Sequence, residues 1–129
     1  MSFSFSLRSE QNLKGVHPDL VKVVRRALEL TRNDFVVTQG LRTKEEQQRL
    51  VRAGASQTMN SRHLTGHAVD LAVLVDGQVR WDWPLYQRLN DEAMQPAAHE
   101  LGIPIVWGGS WTTLRDGPHW ELNRASYPA

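Results

Sequence analysis

Apolar residues recur at helical spacing after His17-Pro18: Leu20, Val23, Val24, Ala27 and Leu28, with Leu30 closing the run. The spacing predicts a helix over 18–31. Pro18 suits its first turn, where the missing N–H has no partner to lose. Phe35-Val-Val-Thr38 is short and rich in β-formers, which predicts a strand. Gly40 then lets the chain turn. Thr43-Lys-Glu-Glu46 has capping-box spacing and predicts a helix over 44–53, stopped by Gly54. Residues 55–62 are small and polar and read as a loop. Ala68-Val-Asp-Leu-Ala-Val-Leu-Val75 is an apolar strand interrupted by one carboxylate. Asp76-Gly77 signals a hairpin turn, with Gln78–Trp81 as the returning strand. A third helix fits Pro84–Leu101, with Gly102 as its stop. Ile103–Trp107 reads as a strand broken by Gly108-Gly109, and Pro118–Leu122 as the last strand. Helices interspersed with hairpins define an α+β class, a mostly antiparallel sheet with about three flanking helices.

Size and charge narrow what such a chain does. Its 129 residues fit a single domain, residues 1–129, that buries a core without disulfides. There is no cysteine, which excludes thiolate metal sites and cysteine nucleophiles. A transition metal would have to be held by His, Asp or Glu. Fifteen basic and 14 acidic residues leave a net charge of +1, which argues against a nucleic-acid partner. Arg25-Arg26 lies within a helical pattern and reads as a solvated face. No apolar run has membrane-spanning length. The start, Met1–Leu7, has neither the basic nor the apolar region of a signal peptide, so synthesis in the cytoplasm is expected.

Two clusters carry candidate chemistry. Ser61-Arg-His63-Leu-Thr-Gly-His67-Ala-Val-Asp70 joins a loop to the apolar strand. A carboxylate in such a strand must be hydrogen-bonded, paired or metal-bound. Local spacing leaves open whether Asp70 meets backbone N–H groups, an arginine or a metal. In Asp116-Gly-Pro-His119-Trp-Glu121, strand geometry puts His119 and Glu121 on one face and Trp120 and Leu122 on the other. The alternative is a turn-forming Asp-Gly beside a surface histidine. Taken together, three nitrogen and oxygen ligands would leave a fourth position for water, the pattern of catalytic zinc. A free carboxylate would then take the water's proton. His17, beside Pro18 at a helix start, and His99, late in the third helix, read as surface residues.

Ser61-x-His63-x-x-Gly66-x-Ala68-x-Asp70, followed by His119, resembles the motif of the VanX/VanY-like D-alanyl-D-alanine carboxypeptidase family of zinc peptidases. The phage branch of that family, the L-alanyl-D-glutamate endopeptidases, is more similar still. Gln39-Gly-Leu-Arg42-Thr43 resembles its Gln-Gly-x-Arg-Thr segment, and Trp107-Gly-Gly-Ser-Trp111 its Trp-Gly-Gly-Asp-Trp segment. The opening, Met1-Ser-Phe-Ser-Phe with Ser9-Glu10 and Val16-x-Pro18-x-Leu20, is also similar. The resemblance implies a DD-peptidase/hedgehog-like fold and one Zn2+ ion on His63, Asp70 and His119. It implies Asp116 as general base and Arg42 as the cation facing the substrate carbonyl. Ser61 and Gln39 would position substrate or ligands. Glu121 is the rival base, or a partner for a ligand's second nitrogen. Trp111 and Trp120 flank the site and are candidates to line it; the other tryptophans read as core. Two positions depart from the pattern: Ser110 stands where the family has Asp, and His67 occupies a variable position. His67 lies four residues from His63, a zinc-binding spacing on a helix, but Gly66 weakens a helix there.

The implied activity is cleavage of the L-Ala–D-Glu bond of peptidoglycan stem peptides by a phage or prophage endolysin. The expected setting is a monomer that depends on a separate holin-type protein to reach the periplasm and wall. The alternatives are a D-alanyl-D-alanine carboxypeptidase or dipeptidase with the same zinc chemistry, or a non-catalytic zinc-bearing module that binds wall fragments or protein.

Overall fold

The computed structural model describes residues 3–55 and 61–128. The elements run α1 (Leu7–Asn12), α2 (Pro18–Leu30), β1 (Phe35–Gln39), α3 (Lys44–Arg52), β2 (Ala68–Val75), β3 (Gln78–Arg80), α4 (Trp83–Leu89), α5 (Gln95–Leu101), β4 (Ile105–Trp107) and β5 (His119–Leu122). A 3-10 turn, Arg62–Thr65, precedes β2, and another, Gly108–Ser110, follows β4. The five strands form one antiparallel sheet in the order β1-β2-β5-β4, with β3 paired to the outer half of β2. The expected α+β class is therefore observed. The loop expected over 55–62 falls mainly on residues 56–60, which lie outside the described residues.

The apolar pattern works as the sequence requires. Leu20, Val23, Val24, Ala27 and Leu28 form the buried stripe of α2. It packs with α4, α5 and the sheet residues Phe35, Val37, Val69, Leu71, Val73, Trp120 and Leu122 in one core. α3 begins with the expected capping box, Thr43 on the Glu46 N–H and Glu46 on the Thr43 N–H.

Two features depart from the expected elements. The helix α1 was not expected; it is six residues long, too short to show a period, and Ser6 caps it. It covers the sheet's open edge: Ser9 Oγ accepts the Val37 N–H at 3.0 Å and Asn12 donates to the Val37 carbonyl at 2.8 Å. The single helix expected over 84–101 is instead α4 and α5 joined by a π-helical turn, Asn90–Met94. Pro96 explains the turn, because it has no N–H and its ring crowds the carbonyl one turn back.

Candidate metal centre

The site grows out of strand register. Asp70 on β2 stands opposite His119 on β5, and Val69 opposite Trp120. Side chains alternate along a strand, so Asp70 and His119 share the face that points away from the core. On the other side Asp70 stands opposite Gln39, across a β-bulge between Val37 and Gln39. Without that extra residue Gln39 would point into the core with Phe35 and Val37; the bulge turns it to the Asp70 face.

His63 comes from the 3-10 turn. Ser61 caps that turn, its Oγ accepting the His63 N–H at 3.2 Å. Gly66 ends it in the left-handed conformation, with φ of 75°. A Cβ there would lie 2.3 Å from the Gly15 carbonyl oxygen. The turn is tied to residues 40–42 in both directions: His63 Nδ1 donates to the Gly40 carbonyl at 2.9 Å, and the Arg42 N–H donates to the His63 carbonyl at 2.9 Å.

These elements bring one donor atom each from His63, Asp70 and His119 within 4.8 Å of one another, a group that could hold a metal ion. Asp70 Oδ1 lies 3.2 Å from His63 Nε2 and 3.2 Å from His119 Nδ1. Each ring's other nitrogen also meets an acceptor: the Gly40 carbonyl for His63, and Glu121 Oε1 at 2.8 Å for His119. A neutral imidazole has one N–H and cannot serve acceptors on both sides. The cluster therefore calls for a further positive charge, as protons or as a metal ion. The outer bonds to Gly40 and Glu121 fix tautomers that leave the His63 Nε2 and His119 Nδ1 lone pairs free.

Electrostatics agree with this deficit in the metal-free chain. Burial disfavours the Asp70 carboxylate, yet hydrogen bonds and charge from His119 and His63 hold it far below the usual carboxylate range. Burial also opposes protonation of His119, but Asp70 and Glu121 outweigh it and push its pKa up to about 9.

Arg42 is buried beside the cluster, its Nη2 3.8 Å from Asp70 Oδ2. Gln47 and Gln39 hold the guanidinium at 2.7 and 3.2 Å. Gln39 thus acts on Arg42, and Ser61 on the turn that carries His63. Asp116 is open to solvent at the mouth of the site. Partial desolvation pushes its carboxyl above the ordinary value, Asp70 adds to this, and His119, His63 and Arg42 oppose it. Its backbone is pinned: its N–H donates to the Gly108 carbonyl at 3.0 Å, and its carbonyl accepts from the His119 N–H at 3.2 Å. A Cβ on Gly108 would lie 2.4 Å from the Asp116 carbonyl oxygen, so glycine permits the approach.

Other expected positions divide. Trp111 is half-buried, its ring centroid 5.0 Å from that of His119. Trp120 is a correction: it is 0% exposed on the core face, donating to Asn90 Oδ1, and cannot line the site. Trp81 and Trp83, read as core, are exposed. His67 lies outside the metal-competent group, its Nδ1 2.7 Å from Thr65 Oγ1. Ser110 is exposed and donates to the Trp107 carbonyl at 2.7 Å. His99 is exposed as expected, whereas His17 is half-buried and caps α2 through Nδ1. Sequence reasoning missed Gln47 and Arg62; both are polar residues in locally amphipathic or loop-like segments, where burial leaves no local signal.

An antiparallel sheet that presents a His/Asp/His donor set, with an arginine beside it and a carboxylate at its mouth, is an arrangement that could serve metal-assisted hydrolysis. The model of the family "Phage L-alanyl-D-glutamate peptidase" matches residues 1–127, and the chain belongs to that family. It is 37% identical over 131 residues to the L-alanyl-D-glutamate peptidase of Escherichia phage T5, covering 98% of this chain and 94% of that protein. It is 32% identical to the L-alanyl-D-glutamate peptidase of Listeria phage A118, of which it spans 45%. Among solved structures it is similar to the Serratia marcescens L-Ala D-Glu endopeptidase ChiX. That match has a TM-score of 0.92 and 51% identity, covering 99% of this chain and 96% of that one.

Proposed function

We propose that this peptidase cleaves the L-Ala–D-Glu bond of peptidoglycan stem peptides with one zinc ion on His63 Nε2, Asp70 and His119 Nδ1. The whole chain serves as one catalytic domain. The observation that carries the ligand set is the charge deficit: two imidazoles, each with an acceptor at both nitrogens, converge on one carboxylate oxygen. Family membership supports the bond. When bound, zinc supplies Lewis-acid polarisation of the scissile carbonyl and activates water near neutral pH.

The chain's own residues supply the rest. Asp116 takes the attacking water's proton and passes it to the leaving amine of D-Glu; its raised pKa suits a group that must do both. Arg42, held in place by Gln39 and Gln47, presents fixed positive charge to the oxyanion that develops on the L-Ala carbonyl oxygen. Trp111 forms an apolar wall beside His119.

Mass spectrometry of peptidoglycan digested by the purified chain tests the bond. New D-Glu amino termini are expected. Release of terminal D-Ala alone would replace this reading with a D,D-carboxypeptidase. The setting is an endolysin, monomeric and made in the host cytoplasm, that meets the wall after a separate holin-type protein opens the membrane. Among the described residues no helix is long and apolar enough to cross a membrane. Lysis on expression with a holin, and none without, is the corresponding outcome.

A further inference from the structure

Arg62 lies beneath the site, 4% exposed, on the turn between Ser61 and His63. Its Nη2 donates to the carbonyls of Leu122 at 3.0 Å and Tyr127 at 2.7 Å. Its Nε is buried without a hydrogen-bond partner and lies 3.7 Å from Glu121 Oε2. An uncharged donor could serve two carbonyls. A buried guanidinium is costly unless a carboxylate balances it, and Glu121 is the carboxylate it faces. Arg124 also approaches Glu121 Oε2, at 3.6 Å, but its side chain is 65% exposed and its attraction is screened by water.

Glu121's other oxygen accepts from His119 Nε2 at 2.8 Å. Arg62, Glu121 and His119 therefore form a line that ends at His119 Nδ1, 3.2 Å from Asp70. We propose that Arg62 is a positioning residue for metal binding: it holds Glu121 Oε2, which keeps Oε1 on His119 Nε2 and His119 Nδ1 aimed at the ion. The proposal rests on the ligand reading above. Without Arg62 the Glu121 carboxylate is free to turn toward Arg124 and solvent, and the His119 ring loses its fixed partner.

Zinc affinity, measured by competition with a fluorescent chelator, tests this apart from catalysis. Arg62→Gln is expected to weaken binding about 10–100-fold, as is Glu121→Gln, the usual effect of losing a partner that orients a ligating histidine. The double variant is expected to bind no more weakly than Glu121→Gln alone, because Arg62 acts through Glu121. Additive losses, or an Arg62→Gln chain that binds zinc like the wild type, overturn the proposal. Should Arg62→Gln fail to fold, Arg62→Lys decides. It keeps the charge but not the fork, so thermal stability should fall while zinc affinity stays within about threefold of wild type. A loss of about tenfold or more in that variant overturns the proposal, since lost charge could not explain it. A wild-type chain that binds no zinc, or a His119→Ala chain that binds it as tightly, overturns the ligand reading and this proposal with it.

Discussion

Asp116 and Glu121 are both carboxylates near His119, and their surroundings give them different work. Glu121 is buried, and its two oxygens are taken up by His119 on one side and Arg62 and Arg124 on the other. Burial disfavours its charge, but His119 and then the two arginines outweigh this and keep its pKa below the ordinary value. Such a group holds the His119 ring and is poorly placed to take up protons. Asp116 is open to solvent with a raised pKa. Asp116→Ala should therefore keep its zinc, counted by metal analysis, and lose about 10²–10⁴-fold in kcat. If that variant lyses walls at the normal rate, the base is elsewhere and Glu121 is the next residue to replace.

The elements position the site through a few polar contacts that brace the core behind it. Trp120, next to His119 on β5, donates its indole N–H to Asn90 Oδ1 at 3.1 Å, and Gln95 donates to the same oxygen at 3.0 Å. Asn90 opens the π-helical turn that Pro96 imposes, so the irregular stretch between α4 and α5 supplies the acceptor for the strand that carries His119. Asn90→Ala leaves a buried indole N–H unpaired. Urea unfolding should show a loss of about 1–3 kcal/mol with an unchanged denaturant slope. A loss within experimental error would mean that β5 does not depend on this brace.

At the scale of the whole molecule, zinc on His63, Asp70 and His119, as proposed, would make pH act oppositely on the metal-free and metal-loaded chains. His119 has its pKa raised from 6.5 to about 9, so its contribution to metal-free stability is full below 6.5 and fades as pH rises through 9. Asp70 and Glu121 are depressed from 3.8 and 4.5, so theirs is present above those values and lost in acid. The metal-free cluster thus stabilises the fold most between these limits. Zinc needs unprotonated imidazoles, so its affinity rises with pH over the range where the proton-bound cluster weakens. The gap in Tm between zinc-loaded and chelator-stripped protein should widen between pH 6.5 and 9. A gap that stays constant or narrows over that range would count against zinc on these histidines. Exposed pairs such as Arg25 with Glu10 and Arg26 with Glu100 join α1, α2 and α5 on the surface but add little.

Local patterning determined much of this protein. The stripe of α2, the capping box of α3, the run Ala68–Val75 and its Asp-Gly turn each satisfy a nearby requirement, so each is legible in a short window. Asp70 was legible as the odd residue of its strand, and the spaced motif carried His63, His119, Arg42 and Asp116 through resemblance. The tertiary structure decided what depends on partners far along the chain. Register set Asp70 opposite His119, a bulge turned Gln39 toward Arg42, and β5 sent Trp120 into the core. Arg62 is the plainest case. In sequence it is one more polar residue beside a loop; its burial, and the carboxylate it faces, exist only once β5 lies against β2. A hydrophobic period reports which face a residue takes, but a buried charge is defined by its partner, and that partner is 59 residues away, at position 121 rather than 62.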